Sequence, residues 1–283
     1  MRNIGYYNGK YDLIENMTVP MNDRACFFGD GIYEAVYARN YIPYALDEHL
    51  DRFYSSANAL GIAVPQKREE LTETIKSLMQ KLDDGDQLIY FQLSRGTEMR
   101  SHAPSEGLLG NIWITIKPAK LKDIYVPMKL ITQPDTRFFH CNMKTLNLLP
   151  SVLASRAAVE AGAEEAVFHR GVEVTECAHS NIAIIREDGA VQTAPADNMI
   201  LAGVARAHFI KACAHFGIDV IEERFTLDEM MAAAEVIVLS SGTLCRPAFM
   251  INDTPVGGGA KDKLKLLQDY LMADFITLTD KEK

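Results

Sequence analysis

Helical and strand patterns alternate along the first half of the chain, and this order constrains the fold more than any other feature. Apolar residues recur at helical spacing after Asp47, a good N-cap, and predict a helix from about Glu48 to Leu60. A second helical pattern runs from Leu71 to Leu82. Two apolar segments, Leu88–Ser94 and Ile112–Ile116, then predict strands separated by a long polar loop. This order indicates a domain that mixes helices and strands.

The stretch from Pro118 to Tyr125 has no convincing period and predicts a linker near the middle of the chain. The segments predicted beyond it are strands at 128–131, 172–175, 181–185, 190–193 and 236–239, a helix at 151–161 and a helix that starts near Val204. The pair Asp188-Gly189 predicts a hairpin. The sequence therefore predicts an α+β protein (α/β-type mixed) of two domains. Residues 1–118 form a small N-terminal α/β domain, 119–127 a linker, and 128–283 a larger C-terminal α+β domain that carries Lys144.

Composition excludes several classes of protein. The chain has 283 residues, 48% of them hydrophobic, and can bury a substantial core in two domains. Its net charge of -9 disfavours non-specific binding to nucleic acid, because that affinity comes mainly from Lys and Arg on phosphates. The five scattered cysteines include no Cys-x-x-Cys pair, and the sequence has neither a signal peptide nor an apolar stretch of membrane-spanning length. We expect a cytoplasmic protein with no metal site, no membrane association and no nucleic-acid partner.

A lysine and a glutamate in two short motifs indicate the chemistry. Lys144 lies in Met143-Lys144-Thr145-Leu146-Asn147, among apolar residues that would partly desolvate its ammonium and make it a usable nucleophile. Glu176 follows Val174-Thr175 and precedes the pair Ser180-Asn181. An amine that forms an imine and a carboxylate that keeps a ring nitrogen protonated are the two groups that pyridoxal phosphate chemistry requires. Each residue alone is more often a surface lysine or a strand-end carboxylate, so the prediction depends on the pair.

Three segments could supply hydrogen-bond donors to a phosphate. Arg52 follows His49 by one turn of the first predicted helix, where a solvated helix-face arginine is the common alternative. Gly203-Val204-Ala205-Arg206 opens a helix, so its N–H groups and the helix dipole could hold an anion. Ser240-Ser241-Gly242-Thr243 follows a predicted buried strand and offers hydroxyl and N–H groups. None of the three is specific by itself.

Three further residues could bind a substrate carboxylate. Arg100 and His102 lie two apart in the long loop and can direct two donors at one carboxylate, although a solvated basic loop is the common alternative. Tyr33 follows Phe28-Gly29-Asp30-Gly31, whose glycines allow the backbone to approach another group closely. The alternative for Tyr33 is a tyrosine of the core or of an interface. The remaining histidines have no spacing that suggests metal ligation.

Over nearly the whole chain these residues resemble the fold type IV pyridoxal phosphate enzymes (aminotransferase class IV) and, within them, the D-amino acid aminotransferases. Six motifs occur in the family's order and at similar spacings: Phe28-Gly29-Asp30-Gly31-Ile32-Tyr33-Glu34, Asp47-Glu48-His49-Leu50-Asp51-Arg52, Arg95-Gly96-Thr97, Lys144-Thr145-Leu146-Asn147-Leu148-Leu149, Thr175-Glu176 with Ser180-Asn181, and Leu201-Ala202-Gly203-Val204-Ala205-Arg206. The resemblance implies that Lys144 forms the Schiff base with pyridoxal 5'-phosphate, Glu176 pairs with the pyridine nitrogen and Arg52 binds the phosphate.

The same resemblance implies the rest of the site and the reaction. The other residues of the implied phosphate site are Val204, Ala205, Ser241 and Gly242. Tyr33, Arg100 and His102 resemble the carboxylate-binding residues of the D-amino acid enzymes, in which the arginine and histidine come from the partner subunit of a homodimer. The implied reaction is ping-pong transamination between a D-amino acid, of the D-alanine, D-glutamate or D-aspartate class, and a 2-oxo acid. In it Lys144 is the general base and acid that moves the substrate Cα proton.

Three alternative functions stay open on the same residues. Branched-chain L-aminotransferases and 4-amino-4-deoxychorismate lyases share the lysine and the glutamate but bind their substrates with different loops. The distinction therefore depends on Tyr33, Arg100 and His102. A lyase would release pyruvate without needing a 2-oxo acid acceptor. A catalytically silent binding protein would lack the yellow colour of the bound cofactor.

Overall fold

Residues 1–280 are described by the computed structural model, and their contacts divide them into two compact units. Each unit has its own β-sheet and its own hydrophobic core. Unit 1 comprises Met1–Leu121, Met143–Asn147 and the C-terminal segment from Ile276. Unit 2 comprises Lys122–Asn142 and Leu148–Phe275.

Unit 1 is an antiparallel sheet with helices. Its strands are β1 (Ile4–Tyr7), β2 (Lys10–Asp12), β3 (Gly31–Arg39), β4 (Ile42–Pro43), β5 (Gln87–Ser94) and β6 (Asn111–Pro118). Its helices are α1 (Arg24–Phe28), α2 (Leu46–Ala59) and α3 (Arg68–Met79), with a short 3-10 helix at Ile14–Asn16. The strand order is β2-β1-β6-β5-β3-β4. The long β3 pairs with β5 from Gly31 opposite Ser94 to Ala38 opposite Gln87.

The core of unit 1 explains why the sequence patterns form these elements. One face of α2 is buried at a spacing of three to four residues, through Leu46, Leu50, Phe53 and Ala57. The helix predicted from Glu48 to Leu60 and the two predicted strands are confirmed as α2, β5 and β6. The predicted N-cap is wrong, because α2 begins after Ala45, which has a φ of 52°, and Asp47 lies in the first turn.

Unit 2 contains a larger, mixed sheet. Its strands are β7 (Met128–Pro134), β8 (Glu165–Arg170), β9 (Glu173–Cys177), β10 (Asn181–Ile185), β11 (Val191–Thr193), β12 (Val220–Ile221), β13 (Glu235–Leu239), β14 (Arg246–Ile251) and β15 (Thr254–Pro255). Its helices are α4 (Leu149–Glu160), α5 (Val204–His215), α6 (Leu227–Met231) and α7 (Lys261–Leu278), the last passing into unit 1 after Phe275. The strand order is β12-β11-β10-β13-β14-β7-β8-β9, and β15 pairs with β14.

Most elements predicted in the second half are confirmed. β10 has the predicted bounds, α5 starts at the predicted Val204, and β10 and β11 form the hairpin predicted from Asp188-Gly189. Gly189 has a φ of 86°, which suits glycine. The strands β8, β12, β14 and β15, and β1 to β4 of unit 1, were not predicted. In β3 the buried carboxylate of Glu34 interrupts the apolar pattern that marks a strand.

The two units differ from the predicted domains at the lysine motif. The first break falls after Leu121, within the predicted linker at 119–127, but residues 143–147 belong to unit 1 and not to the C-terminal part of the chain. Backbone hydrogen bonds explain this difference. The Tyr33 N–H donates to the Lys144 carbonyl oxygen at 3.0 Å, and the Leu146 N–H donates to the Gly31 carbonyl oxygen at 3.0 Å. Lys144 is thereby joined to β3.

The last helix, α7, is amphipathic. It buries Leu264, Leu267, Leu271 and Phe275, which are spaced three to four residues apart. The fully buried Glu235 accepts hydrogen bonds from the N–H groups of Gly258 and Ala260, just before the helix begins. Within residues 1–280, no helix combines the length and the apolar character needed to cross a membrane.

Candidate active site

Lys144 lies on a short segment that pairs with the start of β3. Thr145 forms an isolated antiparallel bridge with Ile32. The Lys144 backbone N–H donates to Ser56 Oγ at 3.5 Å, so α2 also holds the segment. Lys144 Nζ lies 4.3 Å from the centre of the Tyr33 ring, a distance at which the ring attracts an ammonium. The predicted lysine and the predicted substrate-binding tyrosine are therefore in direct contact.

Two glycines allow the lysine segment to approach the backbone closely. A Cβ at Gly31 would lie 2.3 Å from the Leu93 carbonyl oxygen and 2.8 Å from Leu146 Cδ1. Gly29 ends α1 with a φ of 60°, and its carbonyl oxygen accepts from Asn147 Nδ2 at 3.1 Å. The prediction that these glycines permit a close approach is confirmed, and the group approached is the lysine segment itself.

Arg52, predicted to bind phosphate, forms an ion pair with Glu34, a residue to which the sequence analysis gave no role. Arg52 Nε lies 2.7 Å from Glu34 Oε1, and Arg52 Nη2 lies 2.8 Å from Oε2. His49 Nδ1 lies 2.7 Å from the same Oε2. Glu34 is completely buried, as is His49 apart from 1% of its surface. A guanidinium carries five N–H groups and can serve a second partner, so the pairing leaves the phosphate role of Arg52 a prediction.

The pKa values in this cluster follow from burial and pairing. Burial raises the pKa of Glu34, but Arg52 and His49 outweigh burial and lower this pKa to about 2. Burial lowers the pKa of His49, against the opposing effect of Glu34. At neutral pH the cluster therefore consists of a carboxylate, a guanidinium and a neutral imidazole that donates through Nδ1.

Arg100 and His102 are both exposed residues of the loop between β5 and β6. The Arg100 guanidinium carbon lies 5.1 Å from the centre of the Phe28 ring. The His102 ring lies 5.4 Å from the same ring, centre to centre. The two predicted carboxylate-binding residues thus gather around one aromatic side chain at the end of α1.

In unit 2, Glu176 is held by donors from three separate segments. It lies on β9 and is 5% exposed. Arg137 Nη1 donates to Glu176 Oε1. Asn181 Nδ2 and the Leu201 N–H donate to Oε2 at 2.9 and 3.1 Å. A charged donor on Oε1 and neutral donors on Oε2 favour the ionised form of the carboxylate, which is the form that the predicted role of Glu176 requires.

Arg137, to which the sequence analysis gave no role, contacts the predicted site residue Glu176. It also forms a bidentate ion pair with Asp135, which receives Arg170 Nε at 3.1 Å as well. Burial alone would lower the pKa of Arg137, but Asp135 and Glu176 raise this pKa by more than burial lowers it. The guanidinium is therefore always charged. A possible sequence signal was the pair Asp135 and Arg137 immediately after β7, because charged side chains at a strand end often serve a site.

The start of α5 presents backbone N–H groups beside the glutamate cluster. Its N-cap is Gly203, which has no side chain to accept from the first turn, where Val204 and Ala205 are buried. A Cβ at Gly203 would lie 2.0 Å from Asn181 Oδ1, so only glycine fits against the asparagine that holds Glu176. Ser241 and Gly242 lie in the turn after β13, and the Gly242 carbonyl oxygen accepts from the Lys122 N–H at 3.2 Å.

The chain is similar in sequence to one family over most of its length. A profile of the class IV amino-transferases matches residues 31–250. A D-alanine aminotransferase of Listeria monocytogenes serotype 4b (strain F2365) is 35% identical over 269 residues, which cover 93% of this chain and 92% of that protein. A D-alanine aminotransferase of Bacillus licheniformis is 32% identical over 278 residues, which cover 97% and 98%.

Solved structures show the same fold. The branched-chain amino acid aminotransferase of Escherichia coli aligns with a TM-score of 0.89 at 20% identity, over 100% of this chain and 97% of that one. A branched-chain enzyme from T.th., complexed with N-(5'-phosphopyridoxyl)-L-glutamate, aligns with a TM-score of 0.85 at 25% identity, over 99% and 95%. Together with the sequence relatives, they confirm the resemblance and the fold class drawn from the motifs. The chain belongs to the class IV amino-transferase family.

Proposed function

We propose that this protein is a pyridoxal phosphate-dependent D-amino acid aminotransferase, which exchanges the amino group of a D-amino acid with a 2-oxo acid by a ping-pong mechanism. The observation that carries this function is the similarity to D-alanine aminotransferases over more than nine tenths of both chains. The similarity to branched-chain enzymes is lower in identity and supports the fold. D-Alanine is accordingly the first substrate to test.

The residues present fit the cofactor. A ring nitrogen that must stay protonated needs an ionised carboxylate, and Glu176 is held in that form by Arg137 and Asn181. A phosphate needs N–H and hydroxyl donors, which the start of α5, Ser241 and Arg52 provide. When bound, pyridoxal phosphate supplies an electron sink for negative charge that develops at the substrate Cα.

Lys144 and Glu176 are the catalytic residues in this proposal. Lys144 would hold the cofactor covalently through Nζ and, once displaced by the amino acid, would act as the base and acid that moves the proton from the substrate Cα to the cofactor carbon. The ring of Tyr33, 4.3 Å from Nζ, would attract the ammonium that forms while Lys144 carries this proton. The Glu176 carboxylate would keep the ring nitrogen protonated, and donors from Arg137, Asn181 and Leu201 fix its orientation.

The phosphate site contains charged and neutral donors. Arg52 contributes its guanidinium while Glu34 fixes the direction of that side chain. Val204 and Ala205 contribute backbone N–H groups from the first turn of α5, where the helix dipole adds to their attraction for an anion. Ser241 contributes its hydroxyl, and the neighbouring Gly242 contributes backbone.

Tyr33, Arg100 and His102 bind the substrate carboxylate, and we infer that a homodimer completes the site. The last two side chains lie on an exposed loop and are available to a partner subunit. Apolar side chains on α4 are also more than half exposed: Leu149, Val152, Leu153 and Val159. Burial of such a surface favours association with another copy.

We further propose a cytoplasmic location, where the five free thiols stay reduced.

The visible spectrum of the purified holoenzyme tests the function directly. We expect D-alanine, added without an acceptor, to bleach the cofactor band, and L-leucine to leave the band unchanged. Lys144→Ala is the control, because it removes the group that moves the Cα proton and should abolish turnover in a folded protein. Bleaching by L-leucine alone would assign the branched-chain activity instead. No response to either, with pyruvate released from 4-amino-4-deoxychorismate, would assign the lyase activity.

The substrate-binding role has its own test. Arg100→Ala should raise KM for the D-amino acid and for the 2-oxo acid, because both present the same carboxylate, with a smaller change in kcat. Arg2→Ala is a matched control, since Arg2 is exposed and pairs with the nearby Glu15, away from every residue proposed for the site. Unchanged KM values in Arg100→Ala would contradict the role.

A further inference from the structure

Arg24 is a buried arginine beneath the exposed loop that carries Arg100 and His102. It is the first residue of the short helix α1, and only 4% of its side chain is exposed. A buried guanidinium is retained only where its charge and its N–H groups find partners. The partners of Arg24 therefore indicate what the residue does.

Most of the donors of Arg24 go to the loop. Nη1 donates to the Ser101 carbonyl oxygen at 2.7 Å and to Glu98 Oε1 at 2.6 Å. Nη2 donates to the His102 carbonyl oxygen at 3.0 Å. Glu98 in turn accepts from the Ser105 N–H and hydroxyl through Oε2. One guanidinium thus fixes two consecutive carbonyl groups and, through Glu98, the far side of the loop.

Further contacts of Arg24 join the loop to the rest of unit 1. Nε donates to Asp30 Oδ2 at 2.8 Å, and Asp30 also receives Arg95 Nε. The Arg24 guanidinium carbon lies 5.0 Å from the centre of the Phe28 ring, which also contacts Arg100 and His102. Burial would raise the pKa of Asp30, but Arg95 and Arg24 lower it, so Asp30, the carboxylate that anchors Arg24, keeps its negative charge.

We propose that Arg24 is a positioning residue for substrate binding, which sets the backbone at Ser101 and His102 and so directs the side chains of Arg100 and His102 toward the substrate carboxylate. This inference depends on the proposed function of that pair. A loop fixed before the substrate arrives loses less conformational entropy on binding, and the gain appears as affinity. Arg24 acts through the loop backbone, because its own guanidinium is buried and its N–H groups donate to protein partners.

Arg24→Gln tests the inference in the holoenzyme. Glutamine keeps one donor group but cannot reach two carbonyl oxygens, Glu98 and Asp30 together. We expect KM for D-alanine to rise by about tenfold while kcat changes by less than about threefold. Hydrogen exchange at the Glu98 and Ser105 amides should become faster, whereas the affinity for pyridoxal phosphate, titrated by absorbance, should stay as in the wild type.

Arg95→Gln is the matched control. Arg95 shares the Asp30 anchor, but its other donors go to the Leu60 and Gly61 carbonyl oxygens and not to the loop carbonyls. Its KM and the exchange at Ser105 should stay within about twofold of the wild type. If Arg24→Gln does not fold, Glu98→Gln takes its place, and should raise KM severalfold because it weakens the link from Arg24 to Ser105.

The outcomes separate this inference from the proposed function. The role of Arg24 would be overturned, and the proposed function left intact, by a raised KM in Arg100→Ala combined with wild-type KM and wild-type hydrogen exchange in folded Arg24→Gln. Where Glu98→Gln takes the place of Arg24→Gln, the same values in folded Glu98→Gln would have the same meaning. An unchanged KM in Arg100→Ala would overturn the substrate role of the loop and, with it, the positioning role. A parallel rise of KM in Arg100→Ala and Arg24→Gln, but not in Arg95→Gln, is the expected result.

Discussion

Two buried glutamates, one in each unit, are paired with arginines in different ways. Glu34 in unit 1 is fully enclosed, and its partners His49 and Arg52 lie one turn apart on a single helix. Glu176 in unit 2 keeps 5% of its surface exposed. Its donors come from three segments, at Arg137, Asn181 and Leu201.

We infer from this difference that one carboxylate stabilises the fold and that the other is held for a bound group. Arg52 gives both Nε and Nη2 to Glu34, so the charge of Glu34 is balanced inside the protein. The guanidinium of Arg137 donates to both Glu176 and Asp135, and donors from several segments fix the orientation of Glu176. We infer that loss of the charge at Glu34 affects mainly stability and, through Arg52, cofactor affinity, and that loss of the charge at Glu176 affects mainly the reaction rate.

Glu176→Gln should have the largest effect on catalysis. Glutamine keeps the shape of the side chain but cannot hold a proton on the ring nitrogen, so kcat should fall on the order of 100-fold or more. The thermal midpoint should change by only a few degrees. Transamination kinetics and thermal unfolding of the same preparation measure both quantities. A near-normal kcat in Glu176→Gln would remove the distinction between the two glutamates.

Glu34→Gln should reverse the pattern. The lowered pKa of Glu34 means that its stabilisation is fully present above pH 4.5 and is lost as pH falls toward about 2. At neutral pH the variant should be less stable by roughly 3 kcal/mol, at about 1.4 kcal/mol for each unit of pKa shift. Urea unfolding at pH 7 and pH 3 should show the gap to the wild type shrinking in acid. The exposed Glu223→Gln is the control, and a gap that is independent of pH would contradict this account.

Arg137→Lys should have a smaller effect than either. Lysine keeps the positive charge but loses the planar fork that serves Asp135 and Glu176 together. We expect kcat to fall by about tenfold, as is common when a group that orients a site residue is changed. The same substitution at the exposed Arg2, which pairs with Glu15, should leave kcat unchanged. Equal kcat values in the two variants would show that Arg137 does not orient Glu176.

Sequence patterns predicted the parts of the fold in which neighbours along the chain determine the structure. The helix α2, the strands β5 and β10 and the hairpin at Gly189 depend on local periodicity and turn chemistry, and all four were predicted. The motif residues Lys144 and Glu176 remain predictions, which depend on pyridoxal phosphate chemistry requiring an imine-forming amine and a carboxylate for the ring nitrogen.

The residues that escaped prediction depend on distant contacts. Glu34 lies in a strand whose apolar pattern it interrupts, and its partners are on another element. Arg137 and Arg24 look like ordinary charged residues in the sequence, and only the fold places them against Glu176 and against the loop of Arg100. The predicted N-cap at Asp47 failed because Ala45 adopts a left-handed conformation that composition does not indicate.

The most direct test of the central claim is to locate the cofactor on the chain. Borohydride reduction of the holoenzyme fixes pyridoxal phosphate on the lysine that carries it, and peptide mapping by mass spectrometry identifies that lysine. The account predicts one modified residue, Lys144, and loss of the label after incubation with D-alanine before reduction. Label on a different lysine, or a label on Lys144 that D-alanine does not displace, would contradict it.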